Sequence, residues 1–409
     1  MGNDTSRLVS LRETEIRMAH VAMVSTPFPG HVNPSLEVIR ELVARGHRVT
    51  YANDPSYEEK VTATGAEFVS YKSTLLSDRA ANIAPDDTVG QLDLFLDDSI
   101  SMLPQLRAAY DDDRPDLLLY DITGYAGRVL AEGYGIPSMQ LSPSAVAWEG
   151  YEEDMAEALD ALRQDPAGAE HYRRFSAWLE ENGASVTDSL AFVGKPERGL
   201  ALIPRVMQPN ADRVDPARFT FVGPALAPRD DQGEWQRPAT AEKVLLISLG
   251  STYTDQPDFY RACLAAFGDL PGWHVVLQIG KQVAVADLGE IPVNVEVHDW
   301  VPQLAILEQA DAFVTHAGSG GANEGLSCGV PMIAVPQAVD QFMNADSLVE
   351  AGVARRLDTA DATPEALRET LLALTGDAEV AARVAGIRRE LREEGGTRHA
   401  ADLIEALLP

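Results

Sequence analysis

Cysteine is almost missing from this chain: its 409 residues include only Cys263 and Cys328. A disulfide-stapled secreted scaffold is thereby excluded, and so is a cysteine-rich metal site. Basic residues are the second shortage. Lys and Arg total 33 against 63 Asp and Glu, a formal net charge of −30. The deficit is spread along the chain, with 22 basic and 38 acidic residues in 1–240 and 11 and 25 in the remainder. Neither half is a basic module. A nucleic-acid partner, which calls for a basic stripe, is excluded, and an anionic membrane surface is disfavoured. Long apolar runs are also absent, since none reaches the roughly 18 residues a membrane helix needs. The opening MGNDTSRLVSLRETEIR has no apolar stretch and does not read as a signal peptide. What is present is ordinary globular composition, 45% hydrophobic and 23% charged. At about 100–200 residues per domain the length predicts two domains with a core that needs no staples. The expectation is a cytoplasmic protein, monomer or homodimer, with a polar extension over 1–17 and ordered chain from Met18.

Organisation follows from periodicity. HVAMVST, from His20, reads as a buried strand. The turn-rich TPFPGHVNP leads into a helix, with Asn33 placed to cap it and Pro34 suited to its first position. Leu36, Ile39, Leu42 and Val43 form its apolar stripe, and Gly46 ends it. HRVTYA (47–52) is the next strand, completing a strand–helix–strand unit. LLLYD (117–121) and PSMQL (137–141) continue the series, while 73–113 and 145–195 are longer and less regular. Pro, Gly and charge crowd into 222–243 without periodicity. A second series then begins with VLLISL (244–249), HVVLQI (274–279), VEV (295–297), AFVTH (312–316) and PMIAVP (331–336). The expected division is a first domain over 18–225, a linker over 226–242 and a second domain over 243–409, with a last helix able to pack back on the first domain. The fold class is α/β: two doubly wound, Rossmann-like domains facing a central cleft. In such sheets ligands bind beyond the carboxyl ends of the strands.

Several residues fall at those ends. His31 sits between the first strand and first helix, where the helix N-terminus disfavours imidazolium and suits a neutral general base. It can equally be a residue that closes the loop. Asp121 ends LLLYD and can orient a histidine, or simply cap the next helix. The single G-x-S-x-G string, at 325–329, lies within the helix that follows AFVTH and not at a strand-to-helix turn as a nucleophile elbow does, which argues against a hydrolase. In THAGSGGANEG (315–325), Gly318, Gly320 and Gly321 allow close backbone approach where a helix starts, a place suited to phosphate. His316 can donate to a phosphate oxygen there. The pattern is not a dinucleotide fingerprint, because Asn323 stands where a third glycine is required. Glu324, read as first-turn, can accept from ribose hydroxyls or complement the helix dipole. Trp300 can stack a base or be core. Asp340 and Gln341 suit sugar hydroxyls, with a helix cap as the alternative for Asp340.

The segments W-V-P-Q (300–303), T-H-A-G-x-G-G-x-x-E-G (315–325), G-V-P-M (329–332), D-Q (340–341) and G-H-V-N-P (30–34) make the sequence recognisable. It resembles the bacterial macrolide glycosyltransferases of glycosyltransferase family 1, which have the GT-B fold. The resemblance runs from Met18 to the end and is particularly close to the enzymes that glucosylate and inactivate oleandomycin and related macrolides. It implies that His31 deprotonates the acceptor hydroxyl with Asp121 as partner. It implies that Trp300 stacks on uracil with Gln303 beside it, and that Glu324 holds the ribose. His316, the amides around Gly318, Gly320 and Gly321, and Ser251 would hold the diphosphate, and Asp340 and Gln341 the glucose. Where plant members carry Trp-Asn-Ser, this chain has Ser319, Gly320 and Gly321, so backbone amides must take that share of phosphate binding. The implied partners are UDP-glucose, favoured over dTDP-glucose by Glu324, and a hydrophobic small-molecule acceptor in a pocket around Phe28, 73–100 and 145–195, Trp148 included. No cofactor and no metal are expected, because no carboxylate pair flanks the diphosphate position. The alternatives are a biosynthetic transferase using an NDP-deoxysugar and, more remotely, a nucleotide-sugar epimerase or hydrolase.

Overall fold

Apolar runs and amphipathic stretches alternate along the chain, and they condense into two parallel sheets. The structure, a computed structural model, describes residues 18–77, 83, 87–226, 233–250, 254–338 and 340–409. The proposed extension 1–17, residues 227–232 of the proposed linker, parts of 73–100 and Ser251 lie outside the described residues.

The first sheet contains β1 (His20–Val24), β2 (Arg48–Asn53), β3 (Glu67–Ser70), β4 (Leu117–Asp121), β5 (Ser138–Ser142), β6 (Gly199–Ala201) and β7 (Phe219–Phe221). Their order is β3-β2-β1-β4-β5-β6-β7, all parallel. The second contains β8 (Lys243–Ser248), β9 (Trp273–Gln278), β10 (Val295–His298), β11 (Ala312–Thr315), β12 (Met332–Ala334) and β13 (Ala354–Arg356), in the order β10-β9-β8-β11-β12-β13. These strands are parallel as well. Both sheets therefore reverse strand order beside their first strand, at β1/β4 and at β8/β11, which is where such folds open a crevice. The central strands are buried on both faces, and all five residues of β1 and of β4 are buried. That explains their unbroken apolar runs.

Helix α1 (Pro29–Ala44) departs from expectation at its start. It begins at Pro29, not at Pro34, after Phe28 in an extended conformation (φ −120°, ψ 140°). Asn33 is thus not a cap, and His31 belongs to the first turn rather than to a loop. Of two prolines able to open the helix, the earlier one does so, and Pro34 is accommodated inside. The irregular stretch after 73 contains one long helix, α2 (Thr88–Tyr110). Helix α3 (Tyr125–Tyr134) follows β4 so closely that a Cβ on Gly127 would lie 2.9 Å from the Tyr120 Cβ. In the second domain α4 (Ser319–Cys328) follows β11 and α5 (Gln341–Glu350) follows β12.

The chain ends by crossing back. Helix α6 (Ala378–Glu394) lies on the second domain, where Val380, Val384 and Ile387 join the core. Gly395 and Gly396, at φ +85° and +52°, turn it into α7 (Gly396–Glu405). Ala400, Ala401 and Ile404 of α7 are buried with Val38, Ile39 and Leu42 of α1. Arg45 reaches Asp402 (2.6 Å) and Glu405 (2.7 Å), and His47 reaches Glu405 (2.9 Å). Among the described residues no helix is long and apolar enough to cross a membrane.

Candidate active site

Adjacent strands β1 and β4 bring two distant residues together. His31, on the first turn of α1, and Asp121, the last residue of β4, meet with Nδ1 2.9 Å from Oδ2 and 3.0 Å from Oδ1. The carboxylate side chain is 1% exposed and the imidazole 24%. Asp121 therefore orients His31 rather than serving merely as a cap. Two residues that sequence reasoning missed complete its surroundings. Thr123 donates to Asp121 Oδ2 through its hydroxyl (2.5 Å) and its amide (3.2 Å), and Thr26 through its hydroxyl (3.2 Å). Their only sequence signal is a hydroxyl beside each strand end. The Tyr51 hydroxyl, within 3.0 Å of Ser25 and 2.9 Å of Ser35, braces the turn below.

Burial alone would keep Asp121 protonated, but the His31 ring and the Thr123 hydroxyl and amide hold its carboxyl below the ordinary range. Burial likewise opposes charge on His31. The charge and hydrogen bond of Asp121, helped by Asp340 from the second domain, outweigh it and hold the imidazole above its ordinary value. This corrects the expectation that the helix N-terminus decides the ring's charge. A buried carboxylate at contact is the stronger influence. With Nδ1 committed to Asp121, Nε2 has no partner among the described residues and is free to take a proton. The rings of Phe28 and Phe95 stand 6.0 and 6.4 Å from that of His31, and 6.1 Å from each other. Trp148 is not part of this group. It packs edge-on to Tyr151 at 4.9 Å, and its indole donates to Asp154 at 2.7 Å.

The second domain builds its side from main chain. Gly318 precedes α4 in an extended conformation, and the first return bond is Ala322 N–H to Gly318 C=O. The amides before Ala322 are the unpaired ones of a helix start. A Cβ on Gly320 would meet nothing within 4 Å, so this backbone lies open to a ligand. The His316 ring is wedged between two glycines. A Cβ on Gly318 would fall 2.4 Å from its Nε2, and one on Gly250 2.6 Å from its Cε1. Next to Gly318 in the chain, Ala317 adopts φ +60°, an uncommon left-handed conformation for a residue with a side chain, of the kind that clusters at ligand sites. Burial pushes the pKa of His316 down to about 4, against the opposing charge of Asp340. Among the described residues its Nδ1 is buried without a hydrogen bond of normal geometry, and the nearby Ser248 main chain favours the charged ring. A neutral imidazole of this kind keeps one ring N–H able to donate.

Glu324 lies in the second turn of α4, not the first, and is 4% exposed. Its Oε2 accepts from Gln303 Nε2 at 2.8 Å, so these two form one unit. Trp300 is 49% exposed, which removes it from the core and leaves its face available. Gln341 is buried. Its side-chain oxygen accepts the amides of Gln337 (2.8 Å) and Ala338 (3.1 Å). Asp340 makes no capping bond to α5. Instead it accepts from Ser319 and Asn344. No cluster of three or more His, Cys, Asp or Glu suited to a metal occurs among the described residues.

Residues 261–406 match the family described as erythromycin biosynthesis protein CIII-like, C-terminal domain. The chain is 59% identical over 400 residues to the oleandomycin glycosyltransferase of Streptomyces antibioticus, covering 97% of this chain and 92% of that one. The solved glycosyltransferase of kitacinnamycin superposes with a TM-score of 0.90 at 57% identity, covering 96% of this chain and all of that one. The calicheamicin glycosyltransferase CalG4 gives 0.85 at 32% identity, covering 96% and 98%.

Proposed function

Because the chain belongs to the bacterial macrolide glycosyltransferases, two-domain enzymes of the GT-B fold, we propose that it moves glucose from UDP-glucose to a hydroxyl of a macrolide and so inactivates the antibiotic. The observation that carries the chemistry is the buried Asp121 beneath His31, with Nε2 left free at the cleft.

The reaction is one in-line displacement. The acceptor oxygen attacks the anomeric carbon while its proton passes to Nε2 of neutral His31, and Asp121 steadies the imidazolium that forms. The bond between the anomeric carbon and the diphosphate oxygen breaks, and UDP departs with that electron pair. The charge it gains is met by the amides at the start of α4 and by His316. A single displacement inverts the anomer, so an α-linked donor gives a β-glucoside. Trp300 takes the uracil face and the Gln303–Glu324 unit the ribose. Asp340 and Gln341 take the glucose, and Phe28 and Phe95 belong to the acceptor wall. This scheme routes no step through a metal.

The test is transfer to oleandomycin followed by mass spectrometry, with initial rates compared in separate reactions with UDP-glucose and with dTDP-glucose. The expected product is oleandomycin carrying one hexose, formed faster from UDP-glucose, because a second ribose hydroxyl gives Glu324 a second partner. A clear preference for dTDP-glucose overturns the donor assignment. One observation favours a second reading, an NDP-deoxysugar donor. The cavity beside Asp340 also carries the apolar Ala145, Ile203, Met207 and Met343, which would suit a sugar lacking a hydroxyl.

A further inference from the structure

We propose that Ser319 and Asn344 are positioning residues for the donor sugar: they fix the Asp340 carboxylate so that one oxygen is spent inside the protein and the other is presented to sugar hydroxyls. This rests on the reading that Asp340 meets the sugar.

The geometry singles out one oxygen. Asp340 Oδ2 accepts from Ser319 Oγ at 3.2 Å and from Asn344 Nδ2 at 3.0 Å, and the same Nδ2 lies 3.3 Å from Ser319 Oγ. Three side chains from two helix starts thus close a small triangle. No described residue donates to Oδ1. Capping does not account for the arrangement. An aspartate just before a helix ordinarily has extended backbone and accepts the helix's own amides. Asp340 has helical backbone (φ −66°, ψ −14°) and makes no such bond.

The two clamp residues are unequal in setting and alike in effect. Asn344 is 8% exposed, and a buried amide needs a partner. Ser319 is the first residue of α4, so its main chain belongs to the diphosphate cradle while its hydroxyl grips the sugar side. One residue therefore ties the phosphate position to the sugar position. Ser319, Asp340 and Asn344 also line a cavity whose opposite wall, Ser144, Ala145, Ile203 and Met207, belongs to the first domain. The clamped carboxylate consequently stands at the seam between domains. An exposed aspartate left unclamped would sample several rotamers, and holding it in one removes that cost from the reaction.

The experiment is calorimetry on the full chain with UDP, UDP-glucose and UDP-deoxyglucoses lacking one hydroxyl at a time. In Ser319→Ala and Asn344→Ala the Kd for UDP should stay within about twofold, while that for UDP-glucose rises about tenfold, the size of one charge-assisted hydrogen bond lost. The penalty for deleting the hydroxyl that meets Asp340 should shrink in the variants. Ser319→Thr, which keeps the hydroxyl, should restore the wild-type ratio. Equal weakening of UDP and UDP-glucose would mean general damage to α4 and overturns the proposal. So does an unchanged deoxyglucose penalty in both variants. Should the wild type reject UDP-glucose for dTDP-glucose, the donor assignment falls, and the same ratio taken with dTDP and dTDP-glucose still decides the clamp.

Discussion

The two domains place their working parts at the same topological position and fill it differently. At β1/β4 the crevice holds side chains: His31, Asp121 and the two threonines that grip the carboxylate. At β8/β11 it holds main chain: Gly250, Ala317, Gly318 and open Gly320, with His316 wedged among them. The difference follows from the tasks proposed for them. Moving a proton requires a group whose pKa can be set, and only side chains offer one. Holding a diphosphate requires several converging donors, which a helix start supplies without any side chain. The same contrast appears in charge. One histidine is held above its ordinary pKa by a buried carboxylate, and the other is pushed down to about 4 by burial.

The largest expected effect tests the side-chain half. His31→Ala should lower kcat by about 10²–10⁴-fold, the range of general acid–base catalysis, while UDP affinity is retained. Parallel loss of UDP affinity would break the division of labour. Asp121→Asn should cost nearly as much and also move the pH profile. His31 acts as a base only when neutral, so its raised pKa places the rising limb of kcat/KM above the ordinary histidine value. Removing the carboxylate removes what raises it, and the limb should shift to lower pH. A shift to higher pH would contradict the assignment.

The main-chain half is tested by a pair of glycines. Gly318→Ala puts a Cβ into the His316 ring and should weaken UDP binding about tenfold or more, with its larger effect on KM. Gly320→Ala meets nothing in the protein, so any loss it causes reports on the ligand directly. Equal folding stability with unequal UDP affinity would sharpen the contrast. The smallest expected effect concerns the net charge of −30. That field repels an anionic donor and attracts a cationic acceptor, so raising ionic strength should slow transfer to an amino-sugar macrolide about twofold more than to a neutral phenol. Equal sensitivity would leave the acidity without a role in substrate encounter.

The sheets were legible because their central strands are continuous apolar runs. Length alone did not decide legibility: β12, three residues long, was read, whereas β6, equally short, was not. His31, Asp121, His316 and the glycines were legible because each ends a readable strand or opens a readable helix. The start of α1 was misjudged because Pro29 and Pro34 give the same local signal, and only the backbone at Phe28 decides between them. The contacts of the Thr26, Thr123, Ser319 and Asn344 side chains with Asp121 and Asp340 were not legible, because no periodicity encodes which carboxylate a hydroxyl or amide will meet.

Helix α7 gives the molecule a different partition from the one its order of residues implies. The last ten or so residues are encoded with the second domain, yet their apolar face is part of the first domain's core, against the helix that carries His31. A hybrid made by joining the first domain of one relative to everything downstream in another would therefore import a foreign piece into that core. Exchange should succeed when α7 travels with α1 and Arg45 keeps Asp402 and Glu405 as partners. The recombination unit is thus discontinuous in the gene, with one junction between β7 and β8 and a second at the Gly395–Gly396 turn.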